Sequence, residues 1–456
     1  MGAYLSQPIV AKDSTSGAGD GHRWGASSMQ GWRQGMEDAH ITISDLGGEG
    51  AGISLFGVFD GHGGKQVALF CREHMPGLVL GQMAEQLQGG GWEERPEALG
   101  ASMRNSFHSV DDMLREPEHQ RRLIELKQEQ PNVQSGSSVS SSSGSAGAES
   151  RQSRTVGALH SSIQDDLKAA RGKGKVTKEE AAKLMLKMTL LKQMEEKESH
   201  KLRTDCSSGM LENAGDQVGC TAVCVAVSKT HYVCANAGDS RAVLCRGGKA
   251  LELSYDHKPN NDIERRRIEA AGAVIQETTM KVGAGMKTIY RINGDLNLSR
   301  SLGDLRYKQR TDLRPEEHPV CSTPDILIQL RAPDDDFVVI ACDGIWDVKT
   351  NEEVCAFILA GLQKGMAIPS IIEDLMDDCI TPDPKTTGGL GADNMTCVIV
   401  QFDKQEGFPL SPSAAATDGS SPVAKEDPLP PFPGQQRRSS EERRSLCLPF
   451  RFSRRK

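Results

Sequence analysis

No stretch of 18 apolar residues occurs in this 456-residue chain, so no membrane-spanning helix is expected. No secretory leader precedes the first cysteine either. Most of the twelve cysteines sit inside apolar runs, as Cys220, Cys224, Cys234, Cys342 and Cys397 do. Reduced, buried thiols in an intracellular protein are therefore expected in place of disulfides. Zinc spacing is also missing, because Cys220 and Cys224 share one side of a predicted strand but no second Cys/His pair accompanies them. Gly174, Val176 and Glu180 fall where a calcium loop would want them. However, Ala169, Arg171 and Lys173 stand at the positions that should supply oxygen ligands, which argues against calcium.

Charge is unevenly spread. Residues 151–203 hold 13 Lys/Arg against 7 Asp/Glu and residues 437–456 hold 8 against 2, so each is +6 and the rest of this −8 chain is −20. The basic segments could meet nucleic acid, an acidic protein surface or anionic lipid, whereas an acidic core fits carboxylate chemistry. Residues 1–22 read as an N-terminal arm, 23–403 as one large domain interrupted by an insert at 116–216, and 404–456 as a disordered basic tail. Within the insert, Gln134 to Ser150 is mostly Ser, Gly and Ala and cannot bury enough apolar surface to order itself. Thr177 and Glu180 then form a capping-box signature ahead of Leu184, Met185, Met188 and Leu191 at helical spacing. That helix either docks on its own domain or binds a partner.

What the chain does have is four aspartates at the ends of β-type apolar runs. Asp60 follows Ile53 to Phe59, Asp239 follows Tyr232 to Gly238, Asp343 follows Phe337 to Cys342, and Asp393 precedes Met395 to Val400. Singly, each is ordinary turn chemistry. Together, carboxylates at strand rims suit hard, oxygen-loving cations such as Mg2+ or Mn2+. Asp60-Gly61-His62-Gly63-Gly64 adds an imidazole and three glycines, more than a hairpin needs, and Gly31 to His40 places Glu37 and Asp38 near Arg33. Elsewhere Lys65 to Met75 reads as a helix, and Gly219 to Val227, His231 to Ala237 and Arg241 to Cys245 as a meander. Asp262 to Ala271 is predicted helical with Gly272 as its stop, and Arg265, Arg266 and Arg267 as a solvated face.

These segments resemble the metal-dependent serine/threonine protein phosphatases of the PP2C, or PPM, family. The resemblance rests on Gly31 to His40, Asp60 to Gly64, Gly219 to Ala222, Asn236 to Arg241, Leu298 to Asp304, Ala341 to Trp346 and Gly391 to Thr396, all in the family's order. Met1 to Pro8 and Ser254 to Pro259 look most like the gamma-type branch, although that branch carries an acidic insert where this one is Ser-rich and basic. The resemblance implies an α+β fold, an α-β-β-α four-layer sandwich of two antiparallel sheets flanked by helices, with metals in a cleft at one end. It also implies that Asp60 bridges two Mg2+ or Mn2+ ions, that Asp343 and Asp393 complete one, and that the Gly61 carbonyl reaches the other. Asp239 is implied in a further, weaker site, and Glu37 and Asp38 in holding metal-bound water.

The expected activity is hydrolysis of phosphoserine and phosphothreonine on proteins by a water bridging the two ions, without a covalent phosphoenzyme. Arg33 suits a phosphate clamp, because a guanidinium presents paired donors to phosphoryl oxygens; its plainer reading is a surface ion pair with Glu37. His62 suits protonation of the leaving serine oxygen. Thr221 and Asn394 are expected to support the cleft, and Asp256 to Arg310, with Val282 to Gly285, to include a mobile flap. The competing readings are a catalytically silent regulatory scaffold and a metal-dependent nuclease. Phosphoproteins are the expected partners of a monomer, and nucleic acid is not required. Met1-Gly2 with Ser6 fits either N-myristoylation at Gly2, a single chain that holds an anionic membrane surface only marginally unless a basic segment helps, or an ordinary arm packed along the sheet. Otherwise a cytoplasmic or nuclear location is expected, with Arg437 to Arg444 and Arg454 to Lys456 open to nuclear-signal, lipid-binding or solubilising roles.

Overall fold

The computed structural model describes residues 4–86, 95–129, 215–282 and 285–403. The chain divides into two units, Met1–Phe408 and Pro409–Lys456, and every described residue belongs to the first. Gly2, the Ser-rich stretch, the Thr177 to Leu191 segment, the calcium-loop positions and the basic tail lie outside the described residues.

Two antiparallel sheets dominate the described residues. The first has the order β1 (Ile9–Gly19), β2 (His22–Gly31), β16 (Met395–Phe402), β15 (Asp335–Ala341), β9 (Arg241–Arg246), β10 (Lys249–Glu252). The second runs β14 (Asp325–Leu330), β8 (His231–Ala237), β7 (Ala222–Val227), β4 (Ser54–Phe59), β3 (Ala39–Ile43). Their inner strands read as unbroken apolar runs because both faces of each are covered. In β7, Val223, Val225 and Val227 pack toward the other sheet, while Ala222, Cys224 and Ala226 pack against helices. The same period of two divides β15, with Val338 and Ile340 between the sheets and Phe337, Val339 and Ala341 on the outer face.

Helices close both outer faces. α1 (Gln66–Gln86) and α2 (Pro96–Arg115) cover the five-stranded sheet through Phe70, Met75, Val79, Met103 and Phe107, and α3 (Pro117–Gln128) packs on both helices, with Leu123 in the same core. On the six-stranded sheet lie α5 (Asn351–Gln363), begun by a Thr350/Glu353 capping box, and α6 (Ile368–Cys379). The result is the expected α-β-β-α sandwich. α1 runs about three turns past the Met75 limit read from sequence, to Gln86. An internal proline costs ~3 kcal/mol, but the buried Val79 and Met83 beyond Pro76 each return roughly 1.5–3 kcal/mol, so the helix continues.

Other differences have equally local causes. The arm supplies an edge strand, β1, whose exposed positions include Asp13, Thr15 and Ser16 and whose half-buried ones carry Lys12 and Ser14, bonded to Asp377 and Glu373, so it gives no apolar signal. The first part of the insert, Pro117–Gln128, is helix seated on the core by the buried Leu123 and Leu126. The expected meander holds only for β7 and β8, since β9 crosses into the other sheet after Asp239 and Ser240. Between α4 (Asp262–Ala270) and the following loop, β11 (Ile275–Val282) and β12 (Gly285–Ile292) form a two-stranded hairpin. No helix among the described residues is long and apolar enough to cross a membrane, and the ten cysteines described are free and buried.

Candidate active site

The antiparallel registers bring the site residues to one rim. In the five-stranded sheet β4 and β8 end where β7 begins, so Asp60 and Asp239 emerge beside Thr221. In the six-stranded sheet β15 ends where β16 and β9 begin, so Asp343 and Asp393 emerge together, with the end of β2 leading into the Trp32 to Asp38 loop. A small sheet adds β5 (Gly61–His62), paired to β6 (Gly219–Cys220), which pairs on its other side with β13 (Leu302–Gly303). Gly61 has to be glycine, because a Cβ there would enter the Glu37 carbonyl.

Polar side chains lock this rim. The Thr221 hydroxyl accepts from the Asp60 backbone N–H at 3.3 Å and shares a 2.7 Å hydrogen bond with Ser240, while the Thr221 N–H donates to the Asp60 carbonyl. Asn394 stitches the preceding loop down: its amide donates to the Gln30 and Gly35 carbonyls and accepts from the Glu37 N–H at 2.9 Å. Asp38 accepts from Thr396 at 2.8 Å, and its other oxygen is buried without a hydrogen-bond partner. Arg33 is half-exposed and ion-paired with Asp393, not with Glu37.

The electrostatics are those of crowded negative charge. Burial, and then the charges of Asp38, Asp343, Asp393 and Asp239, drive the Asp60 carboxyl well above the usual range. Asp343 rises for the same reasons, burial first and then Asp239 and Asp393. Burial lifts Asp38 to about 7, with Asp393 adding to it and Thr396 and Cys342 opposing it. Asp393 and Glu37 are also raised, chiefly by burial and in spite of Arg33.

A family model described as protein phosphatase 2C matches residues 22–144 and 167–387. The chain is 36% identical over 404 residues to "Probable protein phosphatase 2C 11" of Oryza sativa subsp. japonica, spanning 89% of this chain and 91% of that protein. It is 33% identical over 410 residues to "Protein phosphatase 2C homolog 2" of Schizosaccharomyces pombe, spanning 88% and 79%. The chain belongs to the protein phosphatase 2C family. Its fold is also similar to a crystal structure of serine-threonine phosphatase 2C from Toxoplasma gondii, with a TM-score of 0.52 at 14% identity, covering 88% of this chain and 98% of that one.

Protein phosphatase 2C enzymes are metal-dependent protein serine/threonine phosphatases, and the donor set here fits divalent cations. The crowded, buried carboxylates of Asp38, Asp60 and Asp343, with an orphan oxygen on Asp38, are what a hard cation would satisfy. Among the described residues, no three Asp, Glu, His or Cys side chains close into a ready cage. Two side-chain cations already pair with carboxylates of this rim: Arg33 holds Asp393, and Lys258 holds the buried Asp239.

Lys258 and Asp304 had no role in the sequence reading. Lys258 lies in Ser254 to Pro259, which served there only as a subfamily signature. Behind it, His257 accepts from the Gly238 N–H through Nδ1 and donates Nε2–H to Asp325 at 3.0 Å, and Asp325 in turn takes Arg300 at 2.7 Å. Arg300 and Arg267 converge on the buried Glu264, both at 2.7 Å. Arg267 is thus part of a buried ion network, not of the solvated face read from sequence, and the network braces the turn that presents Asp239.

Proposed function

We propose that this chain hydrolyses phosphoserine and phosphothreonine monoesters on proteins at the Asp60 rim. The reading is carried by one juxtaposition: an arginine paired to Asp393 and a histidine two residues from Asp60 flank the same cluster of raised-pKa carboxylates. Asp60, Asp343, Asp393 and the Gly61 carbonyl would hold two Mg2+ or Mn2+ ions, with Asp239 toward a further one; when bound they supply an acidified water and offset phosphoryl charge.

Each side chain then has a task. Arg33 uses the guanidinium N–H groups not engaged by Asp393 to grip two phosphoryl oxygens and set the ester beside the carboxylates. Glu37 and Asp38 accept hydrogen bonds from water at the cluster, and Thr221 keeps the Asp60 backbone rigid while this happens. His62 gives its proton to the departing serine or threonine oxygen as the P–O bond breaks, which removes the cost of expelling an alkoxide. The alcohol leaves, and the water's oxygen remains on the phosphate.

A silent scaffold would lack at least one of these groups, and Arg33, Asp60, His62, Asp343 and Asp393 are all present. The test compares a phosphothreonine peptide with a bis-aryl phosphodiester under the same Mn2+ concentration. The proposal expects peptide turnover to exceed diester cleavage by orders of magnitude. Preferred diester cleavage, or no turnover of either substrate, would overturn it.

A further inference from the structure

Asp304 is fully buried, 242 residues from His62, and its Oδ2 lies 2.7 Å from the His62 Nε2. The same oxygen accepts the Ser301 hydroxyl at 2.6 Å. Asp304 is also one of two non-glycine residues described in the left-handed region, at φ 49°, directly after Gly303 at φ 77°. Two successive left-handed residues turn the chain sharply off β13 and send the carboxylate back across β6 toward β5. Such a conformation costs an aspartate free energy, and such strain concentrates where geometry serves function.

The surroundings are built to keep the pair. Gly303 N–H donates to Asp111 at 2.9 Å, Asp111 pairs with the buried Lys308 at 2.6 Å, and Lys308 also donates to the Ser301 carbonyl at 2.7 Å. The turn is therefore clamped to α2. Gly219 of β6 sits directly between the partners: a Cβ there would press on the Asp304 carboxylate and lie 2.8 Å from the His62 Nε2. Gly219 has no left-handed φ, so the pair itself is what excludes a side chain. Burial opposes ionisation of Asp304, but His62, Ser301 and Lys308 outweigh it and hold the carboxyl below its usual range.

We propose that Asp304 is the positioning residue of the reaction, a buried carboxylate that takes the His62 Nε2–H and so leaves Nδ1 as the ring nitrogen facing the leaving oxygen. This rests on the reading of His62 as proton donor. In the step, the Nδ1 proton passes to the ester oxygen as the P–O bond breaks, and the bonding pair stays on that oxygen. Water forms the new P–O bond and releases a proton to solvent, from which the ring is reprotonated. Asp304 remains ionised throughout and touches neither substrate nor cation.

The test is a double-mutant cycle of Asp304→Asn and His62→Gln on a phosphothreonine peptide and on p-nitrophenyl phosphate, whose leaving group needs no proton. Asparagine tolerates the left-handed conformation and keeps the volume. Asp304→Asn should lower kcat on the peptide by about 100-fold with KM held within about twofold, lower p-nitrophenyl phosphate turnover by less than about fivefold, and leave Mn2+ binding by calorimetry unchanged. Adding it to His62→Gln should cost nothing more. Equal losses on both substrates, or multiplied losses in the double mutant, would overturn the proposal. His62→Gln alone judges the proton-donor reading, since equal losses on both substrates there would reject that reading independently of Asp304. Should Asp304→Asn fail to fold, Gly219→Ala separates the same pair and must show the same selective loss, and an unselective loss would count against the proposal.

Discussion

Replacing Glu264 with Gln should cost the fold stability in a pH-dependent way that can be calculated. Glu264 is 2% exposed, receives the Ser299 hydroxyl at 2.6 Å, and is the meeting point of Arg267 and Arg300. Burial alone would raise its carboxyl, but the two guanidinium groups bring it down to about 2 from an ordinary 4.5. Because the folded value is the lower one, the charged form stabilises the fold above pH ~4.5, and that contribution fades as pH falls toward 2. At ~1.4 kcal/mol per pH unit the full contribution is about 3 kcal/mol, in line with the cost of breaking a buried ion pair. Urea unfolding of wild type and Glu264→Gln at pH 7 and pH 3.5 should give a stability gap of about 3 kcal/mol that narrows to about 2. Other titrating carboxylates cancel in the difference. A gap below about 1 kcal/mol at pH 7, or one that does not change with pH, would show that the network does not hold Glu264 as described.

Three further substitutions follow from the rim. His62→Gln should slow a phosphoserine peptide by about 100-fold or more while aryl phosphates lose far less, as leaving-group protonation requires; steady-state kinetics on both substrates decide it. Lys258→Met removes the ammonium that holds Asp239, so Mn2+ should bind about tenfold more tightly at the site using that carboxylate, and an unchanged calorimetric isotherm would rule out competition. Thr221→Val strands the Asp60 N–H and the Ser240 hydroxyl, and should cost about 1–3 kcal/mol in chemical unfolding as well as weaken Mn2+ binding; full stability would contradict the role given to that hydroxyl.

The carboxylates were legible because each sits where an apolar run stops or starts, and a strand's end is a local signal. The four-layer order was not local and came from the family resemblance. What stayed hidden depended on partners far apart in sequence. Arg33 meets Asp393 and His62 meets Asp304 only because antiparallel strands close the two sheets and the small β13-β6-β5 sheet. The turn at Gly238 to Ser240 is short enough for a hairpin, so its crossing between sheets left no trace in spacing. Likewise β1 is an edge strand with few apolar residues, and nothing in the spacing around Val282 to Gly285 showed that two eight-residue strands pair there in full register. Arg267 looked like a solvated charge because Glu264 and Arg300 are recognisable as its partners only once α4 is packed.

The account's central claim is that the carboxylate cluster around Asp60 exists to hold the divalent cations on which phosphate ester hydrolysis depends. Mn2+ titration of wild type and Asp60→Asn, followed in parallel by calorimetry and by phosphothreonine peptide hydrolysis, tests it directly. The account predicts that wild-type activity rises with Mn2+ occupancy and vanishes on chelation, and that Asp60→Asn loses binding and turnover together. Hydrolysis that survives exhaustive chelation, or an Asp60→Asn protein that binds Mn2+ and turns over like wild type, would contradict it.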